Sequence, residues 1–195
     1  MTPPRLAYVF WHRRSADVEA SAYERRLAAF HRSLADAPPA GFAGSATFAV
    51  RGLPWMAAGT EAYEDWYGVD GWDALAALNT GAVDGARRSP HDLIAAAVAD
   101  GAGGLYQLRG GAGEVRHVRF AAWVAKPAGL TYAGFDELLE DVVARPGHAL
   151  WQRQMVLGPA PEFCVVAPAT LVLDTSLEPL VIARRPVWPA GPAAS

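Results

Sequence analysis

The feature that most limits what this chain can fold into is a weak internal echo. Two aromatic strand segments, each followed by a helix with a matching apolar stripe, recur 112 residues apart. Trp11 corresponds to Trp123, Tyr23 to Phe135 and Leu27 to Leu139, all at that one offset. The order of elements supports the echo more strongly than the letters do. Strand, helix, strand, strand occurs twice, and both second strands run into a glycine turn, Gly52-Leu53-Pro54 and Gly158-Pro159. A repeat of this period governs the whole fold, because neither copy can hide its apolar sheet face alone.

The first copy reads clearly. Residues 6–13 are apolar on both faces, as expected of a central strand covered on both sides. In residues 17–35, Tyr23, Leu27, Phe30 and Leu34 draw one helical stripe. Pro38-Pro39 ends that helix. Residues 42–51 and 61–69 read as strands. Asp70 is expected to cap a helix beginning near Trp72, and Ser89 to cap another running to about residue 99. A stop at Asp100-Gly101, a short strand over 105–109 and a glycine linker at 110–113 complete the unit.

The second copy reads as a strand at 118–126, a helix at 132–144, strands at 149–157 and 162–167, and extended pieces at 171–173 and 180–187. It lacks the helical stretch that precedes the last strand of the first copy. The expectation is therefore an α+β chain of two ferredoxin-like βαββ(α)β units in tandem, 1–110 and a shortened 111–195. Their antiparallel sheets are expected to pack as an intramolecular α/β barrel.

Composition narrows the partners. The net charge of -3 provides no basic field for nucleic acid or anionic membranes. No apolar run approaches the ~20 residues that span a bilayer. Cys164 is the lone cysteine, so no intrachain disulfide forms. With no signal peptide legible, a cytoplasmic location is expected.

Three segments carry a resemblance: Tyr8-Val9-Phe10-Trp11, residues 61–69 with the Trp72 helix after them, and Gly104-Leu105-Tyr106. Together with the element order over about 5–188, the chain resembles the dimeric α/β-barrel superfamily, with both halves on one chain. That resemblance implies a ligand place between sheet and helices or between the two sheets. It also implies a range of activities: cofactor-independent monooxygenases, isomerases of small cyclic substrates, haem enzymes and stress proteins. No family motif matches position by position, so no catalytic residue is carried over.

The residues offer their own candidates. No two of the five histidines stand three or four apart, so no metal site arises from one run of sequence, and no cofactor is implied. Phosphate-loop, dinucleotide and nucleophile-elbow motifs are absent. His12 shares a strand face with Tyr8 and Phe10. Tyr63, Asp65 and Tyr67 share a face of another strand, with Glu64 and Trp66 on its reverse. His12 and Asp65 are the candidate catalytic residues, either of which would move a proton, and Tyr8, Phe10, Tyr63, Trp66 and Tyr67 the candidate ligand contacts. His31 is read as half-exposed and Arg184-Arg185 as surface charge.

The expected function is that of a small-molecule-binding barrel, a cofactor-independent monooxygenase- or isomerase-like enzyme acting on a small hydrophobic or aromatic substrate. The alternative is a non-catalytic ligand-binding or self-associating stress or accessory protein, with a homodimer as candidate assembly.

Overall fold

The computed structural model describes residues 4–113 and 115–189. The chain runs β1 (Leu6–Arg14), α1 (Ala20–Asp36), β2 (Phe42–Arg51), β3 (Glu61–Val69), α2 (Trp72–Gly81), α3 (Arg88–Ala95) and β4 (Val98–Gly111). It continues with β5 (Phe120–Val124), α4 (Tyr132–Val143), β6 (Ala149–Arg153), β7 (Phe163–Ala167), β8 (Leu180–Ala183) and β9 (Arg185–Trp188). No helix among the described residues is long and apolar enough to cross a membrane.

All nine strands belong to one sheet in the order β8-β5-β7-β6-β4-β1-β3-β2-β9, with every pairing antiparallel. The first half contributes β4-β1-β3-β2 and the second β8-β5-β7-β6. Each half therefore follows the ferredoxin-like order of its own strands, and β6 joins β4 where the halves meet. The C-terminal stretch brings the two ends of the sheet together. β8 pairs with β5, and one residue later β9 pairs with β2. The result is an almost closed antiparallel barrel.

One sheet face turns inward. Trp11, Phe48, Trp66, Tyr106, Trp123 and Trp151 fill the barrel and are fully buried. Trp11 and Trp123, the pair at the offset of the internal echo, meet edge to face with ring centres 5.4 Å apart. Such contacts add directionality to the burial of apolar area. Set among these rings is an ion pair. Glu64 accepts from the indole N–H groups of Trp11 at 2.8 Å and Trp66 at 2.7 Å. Arg184, between β8 and β9, makes ionic contact with the same carboxylate, and both side chains are fully buried. The Arg184 guanidinium lies over the Phe48 and Trp66 rings, 5.1 and 5.2 Å from their centres. Its N–H groups are not aligned on Glu64 as hydrogen bonds, so the attraction is ionic. Arg184 is thus an interior residue, not surface charge.

Several expected boundaries shift. β4 is one strand of 14 residues where a stop and a short strand were expected. Its glycines are strand positions that aromatic rings from neighbouring residues cover. A Cβ on Gly101 would stand 2.6 Å from Phe10, and one on Gly104 would stand 2.7 Å from the Tyr106 ring. Rings lying across glycine compensate for the missing side chain, which is why this stretch forms a strand. Gly71, not Asp70, holds the α2 N-cap, without a side-chain bond. α3 begins at Arg88, continuing a 3-10 turn at Gly85–Arg87, so Ser89 lies inside the helix and caps nothing. Residues 171–173 belong to no strand; Leu171, Leu173 and Leu177 instead pack against α4 and the outer face of the second half.

The buried pair gives a direct test. Arg184→Ala leaves Glu64 in the barrel without its cation and should cost about 3–5 kcal/mol in urea unfolding. The double variant Glu64→Gln/Arg184→Met should cost clearly less than the single one. Equal costs, or a single-variant cost below about 1 kcal/mol, would contradict the role given to the pair.

Candidate functional site

On its outer face the first half is covered by α1, α2 and α3, and a cleft of about 720 Å³ opens between these helices and the sheet. Tyr8, Phe10, His12, Asp65 and Tyr67 line it from the sheet. Leu27 and Phe30 reach in from α1, Trp72 and Leu75 from α2, and His91 and Ile94 from α3. The volume falls in the range of small-molecule sites.

Strand register puts the polar residues together. His12 lies opposite Tyr63, Phe10 opposite Asp65, and Thr47 of β2 opposite Asp65 from the other side. His12 is therefore the diagonal neighbour of Asp65 on the same face, within side-chain reach. His12 Nε2 stands 3.1 Å from Asp65 Oδ2, and Tyr67 donates its hydroxyl to that oxygen at 2.9 Å. Thr47 donates its hydroxyl to Asp65 Oδ1. On α1, Tyr23 and His31 are two turns apart on the stripe that faces the sheet. The Tyr23 hydroxyl meets His12 Nδ1 at 2.5 Å, His31 Nε2 meets Thr47 Oγ1 at 2.5 Å, and His31 Nδ1 meets Ser45 Oγ at 2.7 Å.

An ionised Asp65 accepts from His12 Nε2, Thr47 and Tyr67, because a carboxylate only accepts, and with both imidazoles neutral the remaining directions follow. His12 then carries its proton on Nε2 and accepts from Tyr23 at Nδ1. His31 donates from Nε2 to Thr47 and accepts from Ser45.

Electrostatics follow from burial. His12, His31, Thr47 and Asp65 are all at most 2 % exposed. Burial acts to raise the Asp65 carboxyl. The two histidines, through charge when protonated and through hydrogen bonds, outweigh it and hold the carboxyl well below its ordinary range. Burial, followed by the charge of Asp65, pushes the hydroxyls of Tyr8, Tyr23 and Tyr67 upward, so all three stay protonated donors.

The candidates drawn from sequence divide by position. His12, Asp65, Tyr8, Phe10 and Tyr67 meet in the cleft. Tyr63 lies beside it, stacked on His12 at 5.8 Å and donating to Glu24 at 3.3 Å. Trp66 points the opposite way, into the barrel, where it serves Glu64. His31 is not half-exposed; it is buried at the centre of the network. His31, Tyr23, Thr47 and Ser45 are the residues that sequence reasoning missed. The spacing Tyr23, Leu27, His31 follows a helical stripe and was the available signal for two of them. Among the described residues no group of three or more histidine, cysteine or acidic side chains is arranged to hold a metal ion.

The second half repeats the register without the chemistry. Trp123 lies opposite Cys164 as Trp11 lies opposite Glu64. The positions matching His12, Tyr63 and Asp65 are Val124, Phe163 and Val165, all buried in an apolar cluster.

No family model matches the chain, and no curated protein matches its sequence. Solved structures do match. One is a Fusobacterium nucleatum subsp. nucleatum protein provisionally named a monooxygenase, with TM-score 0.62 and 9% identity over 96% of this chain and 94% of that one. Another is a Lactobacillus acidophilus protein, also provisionally named a monooxygenase, with TM-score 0.54 and 12% identity over 94% of each chain. At such identity the likeness establishes the fold alone, that of an α+β barrel with ferredoxin-like strand order.

The network carries a pH signature. Asp65 binds a proton less readily folded than unfolded. Its contribution to stability is therefore complete above the unfolded carboxyl value of 3.8 and is lost as pH falls below that toward the depressed folded value. Unfolding free energies measured from pH 6 to pH 3 should fall less steeply in Asp65→Asn than in the natural chain. Identical acid slopes would contradict an ionised Asp65.

Proposed function

We propose that the first-half cleft binds a small hydrophobic or aromatic molecule and that the protein is an enzyme acting on it by proton transfer. The reading takes residues 1–110 as the unit that carries the site and 111–195 as the unit that completes the barrel beneath it. One observation carries it: a buried, hydrogen-bonded carboxylate–histidine pair forms part of the wall of a largely apolar cleft. Burying an ionised carboxylate is costly, and a chain needing only a core at this place would do as well with valine, as Val165 does in the second half.

Asp65 supplies a fixed negative charge. It orients His12 and stabilises the imidazolium that forms when His12 takes a proton, which is the part an acid plays beside a catalytic histidine. Tyr23 donates to Nδ1, the basic atom, so a ligand reaches that lone pair only when the Tyr23 side chain moves aside. Removal of a proton from a carbon next to a carbonyl, or from a ring hydroxyl, is the step such a pair performs. It would begin an isomerisation, or produce the electron-rich anion that a cofactor-independent oxygenation requires. The provisional names of the two structural relatives agree with this class without fixing it.

A second reading rests on the closed state of the network. Both His12 nitrogens already have partners inside the protein, which suits a cleft built for affinity. Thermal-shift screening with small cyclic ketones and phenols, followed by mass analysis of each compound that binds, separates the two. An enzyme converts a binder, and His12→Gln slows the conversion about 100-fold or more while the thermal shift persists. Binders that all emerge unaltered favour the non-catalytic reading. Conversion undiminished in His12→Gln removes His12 from the chemistry.

A further inference from the structure

Within the cleft the polar groups are unequally free. Both nitrogens of His12 and both carboxylate oxygens of Asp65 are engaged, and the Tyr67 hydroxyl is committed to Asp65. His91 lies toward the rim with Nδ1 on Asp92 at 3.0 Å. Asn79, exposed on α2, also lines the cleft; on the sheet side the Tyr8 hydroxyl differs, because it makes no hydrogen bond among the described residues. Its ring is fixed all the same, stacked on Phe10 at 6.4 Å and 15° and on Tyr67 at 6.1 Å and 23°.

β4 makes room for that hydroxyl. A Cβ on Gly103 would lie 2.8 Å from Tyr8 Oη, closer than any side chain could stand. The missing side chain at Gly103 thus decides where the hydroxyl sits. The charge around it is equally specific. Among the described residues no lysine or arginine lines the cleft, and the charge of Asp65 adds to burial in raising the Tyr8 hydroxyl. A second anion here would meet repulsion with no cation to offset it.

We infer that Tyr8, set in place by Gly103, is the group that reads a polar atom of the ligand, donating to an uncharged carbonyl-type oxygen on an apolar ring. This rests on the cleft being a ligand site, as proposed above. It assigns recognition to Tyr8 and leaves proton transfer to His12 and Asp65. A ligand carboxylate could accept from the same phenol but would stand against the fixed charge of Asp65 with no cation lining the cleft to offset it.

Two probes of one shape test it: 1-tetralone, which carries a carbonyl, and tetralin, which does not. Dissociation constants are measured by calorimetry for the natural chain, Tyr8→Phe and Gly103→Ala. In Tyr8→Phe the preference for the ketone should fall about tenfold while tetralin affinity changes no more than about twofold, the effect of one lost hydrogen bond. Gly103→Ala keeps the phenol and displaces it, so the ketone preference should drop there too. A ketone preference unchanged in both variants overturns the assignment of Tyr8 and leaves the cleft reading standing. Failure of both probes to bind the natural chain overturns the cleft reading and this inference with it.

Discussion

Two adjacent acids on β3 organise this protein. Glu64 and Asp65 are neighbours on one strand, so their side chains leave opposite faces of the sheet, and both are buried. A carboxylate out of water must be met by donors or cations on its own side. Glu64 finds two indole N–H groups and Arg184 inside the barrel. Asp65 finds His12, Thr47 and Tyr67 on the helical side, with His31 behind them. A register slip of one residue would exchange the two faces and leave each acid among the wrong partners. The pairing of β1 with β3 is thus fixed by charge as well as by apolar pattern. The partner of Glu64 comes from the C-terminal stretch, so closing the barrel and satisfying β3 are one event.

The two halves share this frame and use it differently. At matching register positions the first half carries Tyr63, Glu64 and Asp65, and the second Phe163, Cys164 and Val165. The second half packs leucines from 171–177 against its helix, and the cleft it opens beside α4, about 860 Å³, is lined by charged side chains that include Arg109, Asp136 and Glu140 rather than by a buried histidine–carboxylate network. Burial pushes its Cys164 thiol upward, although Arg184 opposes the shift. Such a thiol behaves as a small apolar filler. The buried histidine–carboxylate network lies on one outer face, while the barrel interior of aromatic rings holds both halves together.

Much of the frame was legible because it depends on local pattern. The stripe of α1, the shared face of Tyr63, Asp65 and Tyr67 on β3, and the echo of Trp11 in Trp123 are all periodic signals. The glycines of β4 misled because the rings that cover Gly101 and Gly104, from Phe10 and Tyr106, are brought there by strand pairing. Half of the site could be anticipated from strand faces, which brought His12 and Asp65 forward separately. Their meeting depends on register across two strands, which no short motif encodes. His31 and Arg184 were misjudged for one reason. Charged and polar residues are most often exposed, and only the tertiary neighbours, Thr47 for one and Glu64 for the other, reveal that they are buried with partners.

The account stands most directly on Asp65 being an anion inside the fold. Carbon-13 NMR of the Asp65 carboxyl, titrated in the folded protein from pH 8 downward, reads that charge without relying on activity. The carboxyl is expected to keep the chemical shift of the ionised form through the ordinary aspartate range, to below about pH 3.8. A titration midpoint at or above that value would mean that the histidines do not hold the charge, and the proposed role of His12 and Asp65 in proton transfer would lose its basis.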